Sequence, residues 1–149
     1  MEVQNPILAI DYGDKHFGLA ISDLKGLIAQ PLETISITKN RDVSKIIEEI
    51  LEIAEEYKVK TLLVGLPQSF TETHNKTTEK INKFTNKIKE VTTIPIITYD
   101  ESFSTTLAQS MLISSGQSTR KSRKKIDSIS ATVFLQEYLN SFRKIHERK

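Results

Sequence analysis

The stretch I-L-A-I-D-Y-G-D-K-H-F-G-L-A-I-S-D, residues 7–23, decides how the chain is read. Ile7 to Ile10 form an unbroken apolar run, which suits a central strand covered on both faces better than a half-exposed edge. Asp11 closes that run, so its carboxylate is carried on rigid backbone at the rim of the core. Tyr12 to His16 predict a tight turn with Gly13 as its permissive residue, and Phe17 to Ser22 return as the second strand of a hairpin. Gly18 leaves one position of the returning strand bare. Gly13 and Gly18 together would let a phosphate-bearing ligand, or a metal ion carrying one, approach the backbone beside Asp11. The competing reading is a hairpin with a buried, hydrogen-bonded aspartate of purely structural use.

Outward from this hairpin, Asp23-Leu24-Lys25-Gly26 predicts a turn and Leu27 to Ile37 a third strand, completing an antiparallel meander. Pro31 interrupts that strand and places it at an edge or beside a bulge. Asn40 is the expected N-cap of a helix whose apolar residues Val43, Ile46, Ile47, Ile50, Ala54 and Tyr57 recur at helical spacing. Glu48, Glu49, Glu52, Glu55 and Glu56 are read as its solvated face. Thr61 to Val64 form a short strand ending in Gly65-Leu66-Pro67, at the carboxyl end where open α/β sheets bind ligands; a strand terminator explains the tripeptide equally well. Gln68 to Thr78 are polar and turn-rich, with His74 read as a surface residue. Ile81, Phe84, Ile88 and Val91 then mark a second helix. Ile94 to Tyr99 predict a strand ending in Asp100-Glu101. Ser104 or Thr105 caps a helix burying Leu107, Ala108, Met111 and Leu112, and Gln117 to Lys125 form a basic loop without apolar period. Ile126 opens a last helix with Asp127 in its first turn. The order β-β-β-α-β-α-β-α-α predicts a mixed sheet covered on both faces.

A chain of 149 residues is expected to form one domain, 1–149, around one core. The absence of cysteine excludes a disulfide framework and a zinc-thiolate site, and agrees with a reducing compartment, so a cytoplasmic location is expected. The N-terminus lacks a basic segment followed by an apolar one, and no apolar run approaches the roughly 18 residues of a membrane span. Neither secretion nor membrane insertion is expected. The net charge of +2 hides a segregation: residues 120–149 hold nine Lys and Arg against Asp127, Glu137 and Glu147, a local +6, leaving −4 on residues 1–119. A basic end of this kind suits a polyanion such as nucleic acid, or is simply a solvated face.

Asp11, Asp100 or Glu101, and Asp127 each stand at the end or start of an element that could converge on one edge of the sheet. Three carboxylates suit a hard cation, because magnesium takes oxygen ligands and is commonly held by one or two carboxylates plus substrate phosphate. Two such ions about 3.5–4 Å apart support in-line phosphodiester cleavage without histidine or cysteine. No Gly-x-Ser-x-Gly, His-Glu-x-x-His or Walker-type loop is present to suggest other chemistry.

Ile10-Asp11-Tyr12-Gly13 with Gly18-Leu19-Ala20-Ile21-Ser22-Asp23, then Val64-Gly65-Leu66-Pro67, then Asp100-Glu101 before Ser104-Thr105, and finally Asp127 before Phe134-Leu135-Gln136, resemble the four blocks of the YqgF family. Its members are RNase H-like nucleases, first regarded as Holliday junction resolvases and also assigned to 5′-end maturation of the 16S rRNA precursor. The resemblance implies a single RNase H-like α/β domain, with three antiparallel strands, then parallel ones, and helices on both faces. It also implies a hydrolase whose acidic triad, Asp11, Glu101 and Asp127, holds Mg2+ or Mn2+. Gly13 and Lys15 of the first turn, and Arg120, Lys121, Arg123, Lys124 and Lys125 of the basic loop, are the expected nucleic-acid contacts.

Two positions depart from the family pattern. Ser102 stands where Arg usually follows Asp-Glu, and His16 where a basic residue usually follows the lysine of the first turn, so each is expected to remove a phosphate contact. Three function classes are weighed: the metal-dependent nuclease, acting on rRNA precursor or branched DNA; an ATP-handling protein of the actin and sugar-kinase type; and a nucleic-acid-binding module without catalysis. Length disfavours the second, which needs two related domains closing over a nucleotide. The nuclease could be a monomer or a homodimer, since symmetric cuts in a junction need two sites.

Overall fold

In the computed structural model, which describes residues 4–13, 15–40, 42–66, 72–100 and 129–141, β1 (Ile7–Asp11) is the middle strand of a five-stranded sheet. On one side it pairs antiparallel with β2 (His16–Ser22), which pairs antiparallel with β3 (Ala29–Ser36). On the other side it pairs parallel with β4 (Thr61–Leu66), which pairs parallel with β5 (Ile96–Asp100). The order β3-β2-β1-β4-β5 gives the expected meander followed by parallel strands. Helix α1 (Val43–Glu56) precedes β4, α2 (Glu72–Val91) precedes β5, and α3 spans residues 129–141.

Because side chains alternate across a strand, β1 divides its residues between two cores. Leu8 and Ile10, with Phe17, Leu19, Ile21, Leu62 and Val64, pack against Ile46, Ile47, Ile50 and Ala54 of α1 and Ile81, Phe84 and Ile88 of α2. Ile7 and Ala9, with Ala20 and Leu63, pack against Ala131, Phe134, Leu135 and Leu139 of α3. The continuous apolar run of β1 is therefore explained by burial on both sides. Tyr99 of β5 extends the second core, stacking on Phe134 at 5.9 Å and meeting Tyr138 edge-on at 5.8 Å.

Several boundaries differ from the sequence expectation. Helix α1 is capped by Asp42 rather than Asn40: its carboxylate accepts the Lys45 N–H at 3.0 Å, the standard reach of a cap to the third helical residue. Helix α2 begins at Glu72, so much of the stretch expected to be turn-rich is helical, and no Gly or Pro interrupts it from there to Val91. Strand β5 starts after Pro95, whose carbonyl accepts the Leu62 N–H at 2.9 Å and ties the strand to β4. Strand β3 lies at the sheet edge, as Pro31 requires, and also carries a bulge: Phe17 pairs with Ile35 and Leu19 with Leu32, so Glu33 and Thr34 together oppose Gly18. The expected helix over Leu107–Leu112 and the loop Gln117–Lys125 lie outside the described residues. Among the described residues no helix is long and apolar enough to cross a membrane.

Candidate active site

Asp11 is the last residue of β1, and its alternation with Ile10 puts it on the α3 face, in line with Ile7 and Ala9. It is buried but keeps 9% of its surface exposed, at the carboxyl end of the central strand. Tyr12 takes the opposite face, wedged edge-on against Phe17 at 5.0 Å and Phe84 at 5.4 Å. That aromatic anchor fixes the backbone at the point where the strand ends, and with it the direction of the Asp11 side chain.

The residues beside Asp11 on both neighbouring strands are glycines. Gly18 of β2 is its direct antiparallel partner. One step beyond the pair Ile10–Val64, the parallel register brings Gly65 of β4 level with it. Leu63 and Ala20, two residues before Gly65 and after Gly18, both belong to the α3 core, so the two glycines share the Asp11 face. Among the described residues the glycine with positive φ is Gly26, at 71°, so Gly18 and Gly65 are not there for backbone freedom. What they provide is the absence of a side chain. On the larger-residue side of this row, Gly65 pairs with Tyr99, and Glu101 follows Tyr99 by two positions in sequence.

Gly13 has a different role from the permissive one expected of it. A Cβ there would collide with the carbonyl oxygen of His16, so the two limbs of the turn approach closer than any side chain allows. The exposed Lys15 accepts the Ile37 N–H at 2.8 Å with its carbonyl, which ties the turn to the end of β3. His16 stands across from Ser36, and its Nδ1 lies 2.8 Å from the Ser36 Oγ. Since Phe17 belongs to the α1 and α2 core, His16 is on the Asp11 face.

Asp23, the last aspartate of residues 7–23, closes the far end of β2, away from Asp11. Its carboxylate accepts the N–H groups of Leu27 at 2.7 Å and Ile28 at 3.1 Å. Slight desolvation pushes its pKa up, but N–H donation from Ile28, Leu27, Asp23 itself and Gly26 outweighs this and holds it below its ordinary value. Glu101, Asp127, Ser102 and the basic residues Arg120, Lys121, Arg123, Lys124 and Lys125 lie outside the described residues. No group of three His, Cys, Asp or Glu able to hold a metal occurs among the described residues. The sequence alone did not relate Gly18 to Gly65, and it did not single out Ser36. A parallel register and a cross-strand pair bring these residues together.

This topology is that of RNase H-like resolvases. The chain is similar in fold to RuvC of T. thermophilus bound to a Holliday junction, with a TM-score of 0.59 at 16% identity over 93% of this chain and 95% of the other. It is also similar to the Fowlpox virus resolvase in complex with Holliday junction DNA, with a TM-score of 0.55 at 15% identity over 93% and 99%. The chain belongs to the RuvX family, described as Holliday junction resolvase, whose profile matches residues 5–141; this is the YqgF family that its motifs resemble. Relatives include the "Putative pre-16S rRNA nuclease" of Thermoanaerobacter pseudethanolicus, 42% identical over 91% of this chain and 96% of the relative. A protein of the same name from Desulforamulus reducens is 40% identical over 91% and 96%.

Proposed function

We propose that this chain is a divalent-cation-dependent nuclease that hydrolyses phosphodiester bonds in structured nucleic acid, and that its task is 5′-end processing of the 16S rRNA precursor in the cytoplasm. The observation that carries the reading is a carboxylate fixed at the end of the central strand with glycines on both flanking strands. A buried carboxylate with only a scaffold role gains nothing from having its neighbours stripped to hydrogen, whereas a phosphate approaching it does. Family membership and the names of relatives about 40% identical support the same reading.

In this reading Asp11, Glu101 and Asp127 hold Mg2+ or Mn2+ through carboxylate oxygens, the donor type such cations prefer. The bound cation would supply charge neutralisation at the attacked phosphate and a more acidic water. Asp11 contributes a ligand whose direction is set by the strand and by the Tyr12 anchor, so little ordering remains for substrate binding to accomplish. Gly18 and Gly65 let the phosphate reach it. Lys15 and the basic residues Arg120, Lys121, Arg123, Lys124 and Lys125 grip the nucleic-acid backbone without reading its sequence.

A second reading, cleavage of branched DNA, is favoured by the fold shared with two junction-bound resolvases. It would call for a homodimer, whereas trimming a single RNA end is open to a monomer. Incubating the purified protein with a 16S rRNA precursor fragment and a four-way DNA junction in parallel, with magnesium, manganese or chelator, separates them. Cation-dependent cutting near the mature RNA 5′ end is expected. Preferential cutting of the junction would move the assignment to DNA, and cleavage that survives chelator would end the cation mechanism.

A further inference from the structure

Most of the buried hydroxyls have a visible partner. Ser22 Oγ accepts the Ile7 N–H at 2.7 Å, Thr61 Oγ1 donates to the Gln4 carbonyl at 2.8 Å, and Thr85 Oγ1 donates back along its own helix to the Ile81 carbonyl at 2.8 Å. Ser130 of α3 differs: it is fully buried, and its Oγ has no hydrogen-bond partner among the described residues. Alanine would fill the same place without a buried unpaired polar atom, so the hydroxyl needs a reason. Its place in the fold supplies one. Gln136 bonds the Leu27 carbonyl and the Ala29 N–H, each at 2.9 Å, and Ala29 pairs with Ser22, level with Ile7 at the amino end of β1. Phe134 stacks on Tyr99, which pairs with Gly65 at the level of Asp11. Helix α3 therefore advances toward the Asp11 end of the sheet as its numbering falls. Ser130 precedes Phe134 by one turn on the same side, and Gln136 by about 9 Å of helix. Being buried, it lies in the layer between α3 and the sheet, at the end where Asp11 faces that layer between Gly18 and Gly65.

We propose that Ser130 belongs to the cation site, its hydroxyl accepting a hydrogen bond from a water carried by the cation that Asp11 binds. This rests on the nuclease reading and adds to it a neutral group, three positions after Asp127 in sequence. Magnesium keeps several of its waters when one or two carboxylates hold it, and those waters are strong donors that need acceptors. A neutral oxygen accepts from them without adding another negative charge to the proposed triad in a partly desolvated space. Ser130 is thus a positioning residue. It touches neither substrate nor cation, and acts through the water shell that orients the cation, as outer-shell groups do in metal sites generally. The hydroxyl lacks a partner in the fold because its partner arrives with the cation.

The test uses the full chain and the metal alone. Magnesium or manganese chloride is titrated into protein stripped with chelator, and binding is read by calorimetry and by the rise in melting temperature, so the readout does not depend on cleavage. Ser130→Ala is expected to melt in chelator at or above the parent temperature, because it deletes an unpaired buried hydroxyl. It is expected at the same time to raise the cation Kd by about tenfold, the lower end of the effect of an outer-shell partner. Ser130→Thr, which keeps the hydroxyl, is expected to recover most of that affinity, and Ser130→Ala carries the test alone if the extra methyl prevents folding. A folded Ser130→Ala that binds both cations as tightly as the parent would overturn the proposal and leave the nuclease reading standing. So would a loss of melting temperature of equal size with and without cation, the mark of a hydroxyl that serves the fold through a trapped water. A parent protein that binds neither cation would remove both readings.

Discussion

The two faces of β1 are built to different rules. Toward α1 and α2 the strand and its neighbours present Leu8, Ile10, Phe17, Leu19, Leu62 and Val64, all buried and all large. Toward α3 the strands on either side of β1 run from Ala20 to Gly18 and from Leu63 to Gly65, and β1 itself from Ile7 and Ala9 to Asp11. One face is filled for cohesion. On the other, the strands flanking β1 lose their side chains at its carboxyl end, where the buried Asp11 lies between two glycines. The same five residues thus serve as scaffold and, on the proposed reading, carry the site at one end, and substitutions on the two faces should be felt in different measurements.

The largest effect on stability is expected from the filled face. Ile10→Ala removes a fully buried side chain from the middle of the larger core and should cost about 2–5 kcal/mol in denaturant unfolding. A loss below about 1 kcal/mol would mean that this face is not the close-packed one. On the other face, Gly18→Ala puts a methyl group beside Asp11 at a backbone without positive φ, and cleavage should fall by about 10-fold, roughly 1.4 kcal/mol in the transition state, by more than any loss of stability accounts for. Cleavage kinetics beside a melting curve check this, and unchanged cleavage in a folded variant would erase the distinction between the faces.

Away from both faces the effects shrink. Asp42→Ala removes the α1 cap and should lower stability by about 1 kcal/mol without touching cleavage. Asp23, at the far end of the hairpin, gives a smaller, pH-dependent effect. Because its folded pKa lies below its ordinary value of 3.8, the stability it contributes is present above that value and is lost as pH falls through the folded pKa. The difference in melting temperature between the parent and Asp23→Asn should be constant near neutrality and narrow in acid. A difference that widens in acid would mean that this carboxylate is destabilised by the fold.

Much of the architecture was legible because each part has a local cause. The double-sided burial of β1, the hairpin, the edge position forced by Pro31 and the apolar stripes of α1 and α2 all follow from periodicity and from residues that restrict the backbone. Helix starts were read less well. Asp42 and Asn40 are both competent caps, and the choice depends on where the chain leaves β3; the first turns of α2 are too polar to carry an apolar period. Asp11 was legible as a candidate because a charge at the end of an apolar run needs a reason. Gly18 was legible beside it through the hairpin; Gly65 on the other flank was not, since it comes level with Asp11 only through the parallel pairing of β1 with β4.

On the proposed reading Asp11 is held in place for chemistry and not for the fold. If Glu101 and Asp127 join Asp11, as the proposed triad requires, then with no cation bound like charges would share a partly desolvated space and oppose one another. Asp11→Asn removes one charge at nearly constant shape, so in chelator the variant should melt at or above the parent temperature while cleavage disappears. Magnesium should raise the parent melting temperature by mass action and raise that of the variant less. Paired melts of the two proteins, with magnesium and with chelator, read this directly. A clearly destabilised Asp11→Asn, with no magnesium effect on either protein, would contradict the account and make Asp11 a buried structural aspartate.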